Sequence, residues 1–308
     1  MSDSVVDQSE QAIAQGSQSF AAAARLFDRH TRDDAVMLYA WCRHCDDVID
    51  GQTLGHDQHV EFRAGQQERL TELRKQTARA LKGDAGEDYI FTALQRVVAR
   101  HDIPHRHPQE LLAGFEMDVT GRRYKTINDT LDYCYHVAGV VGVMMAMIMG
   151  ARDPLVLDRA SDLGLAFQLT NIARDVVEDA RAGRAYLPAE LLERHGIGGI
   201  DPDDRDQWPR LHAAALELLD LADRYYASAY AGISALPPRS AWAIAAARRV
   251  YRAIGMKLRQ GGPDAWQARV STTRSEKLAM LGLSLGDVAA TRFLKATGPR
   301  TELWQRPH

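Results

Sequence analysis

The stretch Tyr39-Ala40-Trp41-Cys42-Arg43-His44-Cys45-Asp46-Asp47-Val48-Ile49-Asp50 decides how the rest of the chain is read. Leu38, Trp41, Cys42, Cys45, Val48 and Ile49 recur at the three- and four-residue spacing of a helix with one apolar face. Asp46, Asp47 and Asp50 crowd its last turn. Aspartate is a poor helix former, and like charges three or four positions apart repel by roughly 0.2–0.5 kcal/mol per pair. Asp46 and Asp50 share one face, with Asp47 beside it. Such a turn needs either a cation or a solvated exit, and Gly51 supplies a stop for the second case.

A second stretch, Gln168 to Asp179, changes the balance. Asn171, Asp175 and Asp179 form another oxygen ladder at four-residue steps, drifting only about 40° per step and spanning about 12 Å. Two ladders on facing helices hold hard cations between them. Oxygen donors with open positions suit Mg²⁺, with Mn²⁺ the alternative, and substrate phosphates complete the shell. Carboxylates alone repel a diphosphate, whereas bound ions invert that logic and act on the leaving group as Lewis acids. Arg43, three residues before Asp46, and Arg174, between Asn171 and Asp175, share that load or form intrahelical salt bridges, such as Arg174 with Glu178.

Outward from these motifs the chain reads as helix throughout. The spacing predicts helices over residues 8–29, from Thr31 through the first motif, and over 60–81, 88–100, 109–120, 126–150, 154–181, 189–195, 208–233, 239–260 and 275–285. Small residues Ala138, Gly139, Gly142 and Ala146 permit close helix approach or leave room for a ligand, and the tail after Gly298 reads as loose. No strand pattern persists. The class is all-α, a single domain over residues 1–308 with an ordered core from about 10 to 290.

Composition narrows function. The net charge of −3 carries no basic excess for nucleic acid. The acidic N-terminus lacks the apolar core of a signal peptide, and the apolar run Val137 to Met149 falls short of the ~20 residues of a membrane span. A cytoplasmic protein is expected. Cys42, Cys45 and Cys134 suit a reducing compartment. The Cys42-x-x-Cys45 pair lies inside a helix and reads as buried thiols rather than as a redox motif or, with Cys134 and His136, a zinc site. His101, His105 and His107 read as surface residues in a proline-broken turn. Arg122, Arg123 and Lys125 form a basic loop that meets either water or a diphosphate.

The wording of these stretches resembles the squalene/phytoene synthase family of isoprenyl-diphosphate enzymes. The matching segments are Tyr39 to Asp50, Tyr133 to Gly142, Gln168 to Pro188 and Arg269 to Leu278. The resemblance implies an isoprenoid-synthase helical bundle around a central cavity. It implies that two geranylgeranyl diphosphates join head to head, through a cyclopropyl diphosphate, to give phytoene, with Mg²⁺ and without a nicotinamide. By the same resemblance Asp46, Asp47, Asp50, Asn171, Asp175 and Asp179 bind metal. Arg43, Arg174, Arg184, Tyr186 and Arg269 contact diphosphate, and Tyr39, Tyr135, Gln168 and Tyr251 line the reacting end. Ionising an allylic diphosphate leaves a carbocation that an apolar cavity shields from water and aromatic faces stabilise; Phe20, Tyr39, Tyr135 and Tyr251 are the candidates. An apolar product implies weak peripheral membrane binding, on the inner face of the cell membrane.

Three alternatives stay open. A C15 substrate gives dehydrosqualene or squalene on the same fold, and a class I terpene cyclase uses the same metal logic on one substrate. A helical binding protein with inert acidic faces is the non-enzyme reading. Oligomeric state is left open by the sequence.

Overall fold

The computed structural model describes residues 3–16, 23–51, 64–293, 300 and 302–307, the side chains of 15 and 16 excepted. Among them are twelve α-helices and no strand. Phe20, with residues 17–22 of the helix expected over 8–29 and residues 60–63 of the one expected over 60–81, lies outside the described residues.

The first motif forms α2, following α1 (Ser4–Gly16). Helix α2 runs Arg29–Asp50 and ends where Gly51 adopts φ 60°, the left-handed stop expected of it. Its start differs from expectation. Asp28, not Thr31, is the cap: its carboxylate accepts the Thr31 backbone N–H at 3.0 Å and the Thr31 hydroxyl at 2.7 Å. Leu38, Trp41, Cys45 and Ile49 are buried against α1 and against α4 (Tyr89–His101), beyond α3 (Gln66–Leu81). Helix α5 (Arg106–Val119) follows.

The stretch expected as one helix over 126–150 is three pieces. A capping box at Thr126 and Asp129 starts α6 (Ile127–Cys134), a single π turn covers Tyr135–Gly139, and α7 is Val140–Ile148. Together Ile127–Ile148 is long and apolar enough to cross a membrane, contrary to the shorter run read from sequence, yet most of it is buried inside the protein. Helix α8 (Pro154–Arg181) carries the second motif and is capped by Asp153. It packs on α7, on α10 (Trp208–Gly232) and on α11 (Pro238–Gly261), with the short α9 (Ala189–Arg194) between.

Helices α7 and α8 touch backbone to backbone. A Cβ on Gly164 would sit 2.4 Å from the Ala138 carbonyl oxygen, and one on Gly142 would sit 2.4 Å from that of Ala160. The small residues therefore serve close approach, and the same residues line a cavity on their other side. Helix α12 (Arg274–Phe293) closes the bundle beside α11.

The C-terminal segment is docked, not loose. Arg300 grips the fully buried Asp162 with two hydrogen bonds of 2.8 and 2.9 Å, and Arg306 reaches Asp158 at 2.6 Å. Trp304 packs its ring 5.5 Å from that of Tyr135. Arginine-to-aspartate pairing across more than a hundred residues leaves no local periodicity to read.

Candidate active site

A cavity of about 1180 Å³ lies between α2 and α8. One end is charged and the remainder is apolar. Tyr39, Arg43, Asp46 and Asp50 face it from α2, and Gln168 and Asn171 face it from α8. Arg184 and Tyr186, from the loop after α8, and Tyr251 of α11 also reach it. Helical geometry explains the sharing: residues three, four and seven apart project from one face.

Every acidic ladder residue with a resolved partner is held by an arginine. Arg43 pairs with Asp46 at 3.0 Å and with Asp47 at 3.2 Å. Arg184 crosses from the far loop to Asp50, at 2.5 and 3.3 Å. Arg174 forks onto Asp175, its neighbour, in place of the Glu178 partner read from helical spacing, and Arg269 meets Asp175 from the rim at 3.3 Å. Positive charge is still short. Burial, then repulsion from Asp50, pushes the Asp46 carboxyl up to about 7, and burial, then Asp175, does the same to Asp179. Charges from both ladders act on one common group, Asp118.

Asp118 is a site residue the sequence reading missed. It accepts hydrogen bonds from Tyr186 at 2.9 Å and Tyr133 at 3.1 Å, whose rings stack 4.7 Å apart. Burial raises it to about 6, against the opposing pull of Arg184 and the two hydroxyls. The signal was present: Leu111, Phe115 and Asp118 fall on one helical face, so the apolar stripe of α5 ends in a carboxylate. Phe167, stacked 4.1 Å from Tyr251 on the cavity wall, was likewise not singled out.

Other expected residues stand elsewhere. Tyr135 is buried, is not among the residues that line the cavity and donates its hydroxyl to Glu110 at 2.8 Å, in contrast to its expected place at the reacting end. Asp47 is buried against Arg43 rather than on the cavity wall. Arg174, Asp175 and Asp179 of α8, and Arg269, are not among the residues that line the cavity. His107 is buried on Glu110 and His101 pairs with Asp34, so neither is the surface residue expected. Arg122 of the basic loop is tied to Asp132 at 2.7 Å. Cys45 and Cys134 are buried free thiols as read, and Cys42 faces the cavity.

Oxygen donors on two helices, with carboxyls raised by burial and by repulsion from their neighbours, fit a hard divalent cation. They do not form a closed cage: among the described residues no three carboxylate, imidazole or thiolate groups converge on one point. An open set of this kind leaves coordination positions for substrate oxygens.

An all-helical bundle with acidic ladders at the charged end of a deep apolar cavity defines the isoprenoid-synthase class of protein. Residues 13–276 match the squalene/phytoene synthase family, and the chain belongs to that family. A 15-cis-phytoene synthase of Paracoccus sp. is 54% identical over 100% of this chain and 99% of its own. The 15-cis-phytoene synthase of Pantoea ananas is 50% identical over 99% and 98%. Among solved structures, a dehydrosqualene synthase in complex with ligand superposes with a TM-score of 0.81 at 25% identity, covering 93% of this chain and 97% of that one.

Proposed function

We propose that this protein is a phytoene synthase that joins two geranylgeranyl diphosphates head to head, through a cyclopropyl diphosphate, with loss of both diphosphates. The observation that carries this reading is identity of 54% along the full chain to a 15-cis-phytoene synthase. The cavity supports it. At about 1180 Å³ it exceeds the roughly 300–1,000 Å³ of ordinary small-ligand pockets, which suits two long chains lying together.

The residues divide the work by position. Asp46 and Asp50 on one side, with Asn171, Asp175 and Asp179 on the other, would hold Mg²⁺. Bound there, the ions supply Lewis acidity to the diphosphate oxygens. Arg43, Arg184, Arg174 and Arg269 pair with Asp46, Asp50 and Asp175 and would be free to meet the diphosphate if cations took those carboxylates. Asp118 fixes the hydroxyls of Tyr133 and Tyr186 at the cavity wall. The stacked Tyr251 and Phe167 present an aromatic face where a carbocation would form. Val141, Met145, Leu163 and Gly164 keep water from it. The protein acts in the cytoplasm and binds membrane weakly from that side.

Removing divalent ions should abolish turnover and adding Mg²⁺ should restore it. Asp46→Ala and Asp175→Ala should each lose about a thousandfold in kcat while keeping the helical circular dichroism. Normal turnover in either variant contradicts the site.

A further inference from the structure

Residues 300 and 302–307 are not among those that line the cavity, yet they tie together elements that do. Arg300 holds Asp162 and Arg306 holds Asp158, one turn apart on α8 and just ahead of the lining residues Leu163 and Gly164. The Trp304 backbone N–H donates to the Tyr225 hydroxyl of α10 at 3.2 Å, and Arg300 donates to the Trp304 carbonyl at 2.9 Å. Leu303 is buried in the main core beside it. The Trp304 indole is thereby fixed against the Tyr135 ring, with centroids 5.5 Å apart and planes tilted by 42°.

Tyr135 opens the π turn. The Val140 N–H reaches back five residues to the Tyr135 carbonyl, so the wide hydrogen bond of the turn is anchored on the residue that Trp304 covers. The Tyr135 hydroxyl is held in turn by Glu110 of α5, which also bonds His107 at 2.9 Å. Two and three residues further on, Val137 and Ala138 line the cavity. A π turn inside a helix is rare and gathers at functional sites. Here Gly139 seats it on α8, while Glu110 and Trp304 hold it at Tyr135.

We infer that Trp304 is a positioning residue for the reaction: through Tyr135 it holds the π turn so that Val137 and Ala138 close the cavity wall around the carbocation. The inference rests on the proposed reaction. A cation in a dry cavity loses a proton and ends as hydrocarbon. A cation that meets water takes the water oxygen onto carbon, releases a proton and ends as an alcohol. The ratio of the two products therefore reads the wall, whatever the fraction of protein that is folded.

The test is Trp304→Ala in the full chain, given Mg²⁺ and geranylgeranyl diphosphate, with hydrocarbon and isoprenoid alcohols measured together. The kcat for hydrocarbon should fall about tenfold or more and the alcohol-to-hydrocarbon ratio should rise as much, on the scale of a sub-ångström misplacement. KM should stay as in wild type, because the arginines of the charged end are untouched. Trp304→Phe keeps a ring against Tyr135 and should restore both kcat and the ratio. Glu302→Gln, on the same segment in an exposed pair with Arg224, is the control and should change neither. Should the alanine variant unfold, Trp304→Leu keeps apolar packing without the ring and should shift the ratio in the same direction. The inference is overturned if the folded variants make less of both products at an unchanged ratio, since Trp304 then only stabilises the fold. A rise in KM with kcat intact also overturns it. No hydrocarbon from wild type would remove the proposed reaction itself, and this inference with it.

Discussion

Gly164→Ala tests whether the close approach of the π turn to α8 shapes the cavity. The added methyl would lie 2.4 Å from the Ala138 carbonyl oxygen, 2.7 Å from its carbon and 2.7 Å from the Gly139 Cα. All three are backbone atoms, so no side chain can swing aside, and the π turn and α8 must part by about 1 Å to restore contact distance. Overpacking of this kind costs about 1–3 kcal/mol, which lowers the melting temperature by roughly 2–6 °C in a chain of this size. Gln168 lies one turn further along α8 and Asn171 two, so the same displacement moves both. A misplacement near 1 Å costs about a hundredfold in rate. Thermal melts by circular dichroism and turnover on geranylgeranyl diphosphate read the two effects. Gly198→Ala, with nothing within 4 Å of the new methyl, is the control and should change neither. A Gly164→Ala protein that melts within about 1 °C of wild type with full turnover would refute the reasoning.

Three further outcomes follow from the charges. Asp46 titrates near 7 when folded against an ordinary 3.8, so the folded state binds its proton more tightly and stability falls as pH rises from about 4 through 7. Asp46→Asn, fixed in the neutral form, should therefore gain on wild type across that window in chelator. The gap would be worth about 4 kcal/mol if fully desolvated, but a side chain 39% exposed to the cavity is screened to ~1 kcal/mol; a difference that does not grow with pH in thermal melts counts against it. Arg300→Met strips the partner from buried Asp162 and should cost about 3–5 kcal/mol, read by denaturant unfolding, where a loss below ~1 kcal/mol would show that the C-terminal segment does not hold the fold. Arg184→Gln leaves Asp50 without its cross-cavity ion pair and should raise KM for the diphosphate substrate about tenfold or more, visible in steady-state kinetics; an unchanged KM would place Arg184 outside diphosphate binding.

Local rules made the helices legible. The three- and four-residue spacing of apolar residues, with the stop at Gly51, placed α2 and α8 almost to the residue, and the ladders named the charged end. Long-range partners set the rest. The π turn at Tyr135–Gly139 follows from packing against α8, where Gly139 has Leu165 and Ser161 beside it, and no spacing rule announces it. Arg184 meets Asp50 and Arg300 meets Asp162 across more than a hundred residues each. Helix α12 misled because its apolar residues face outward, so a pattern rule that assigns them to the core stops at Leu285 and misses the last turns.

The measurement that bears most directly on the central claim is product analysis. Purified protein with Mg²⁺ is given geranylgeranyl diphosphate and, separately, farnesyl diphosphate, without a nicotinamide. The account predicts phytoene, a C40 hydrocarbon, from the first alone. A C30 hydrocarbon from the second, with none from the first, would contradict it and assign the cavity to the shorter substrate.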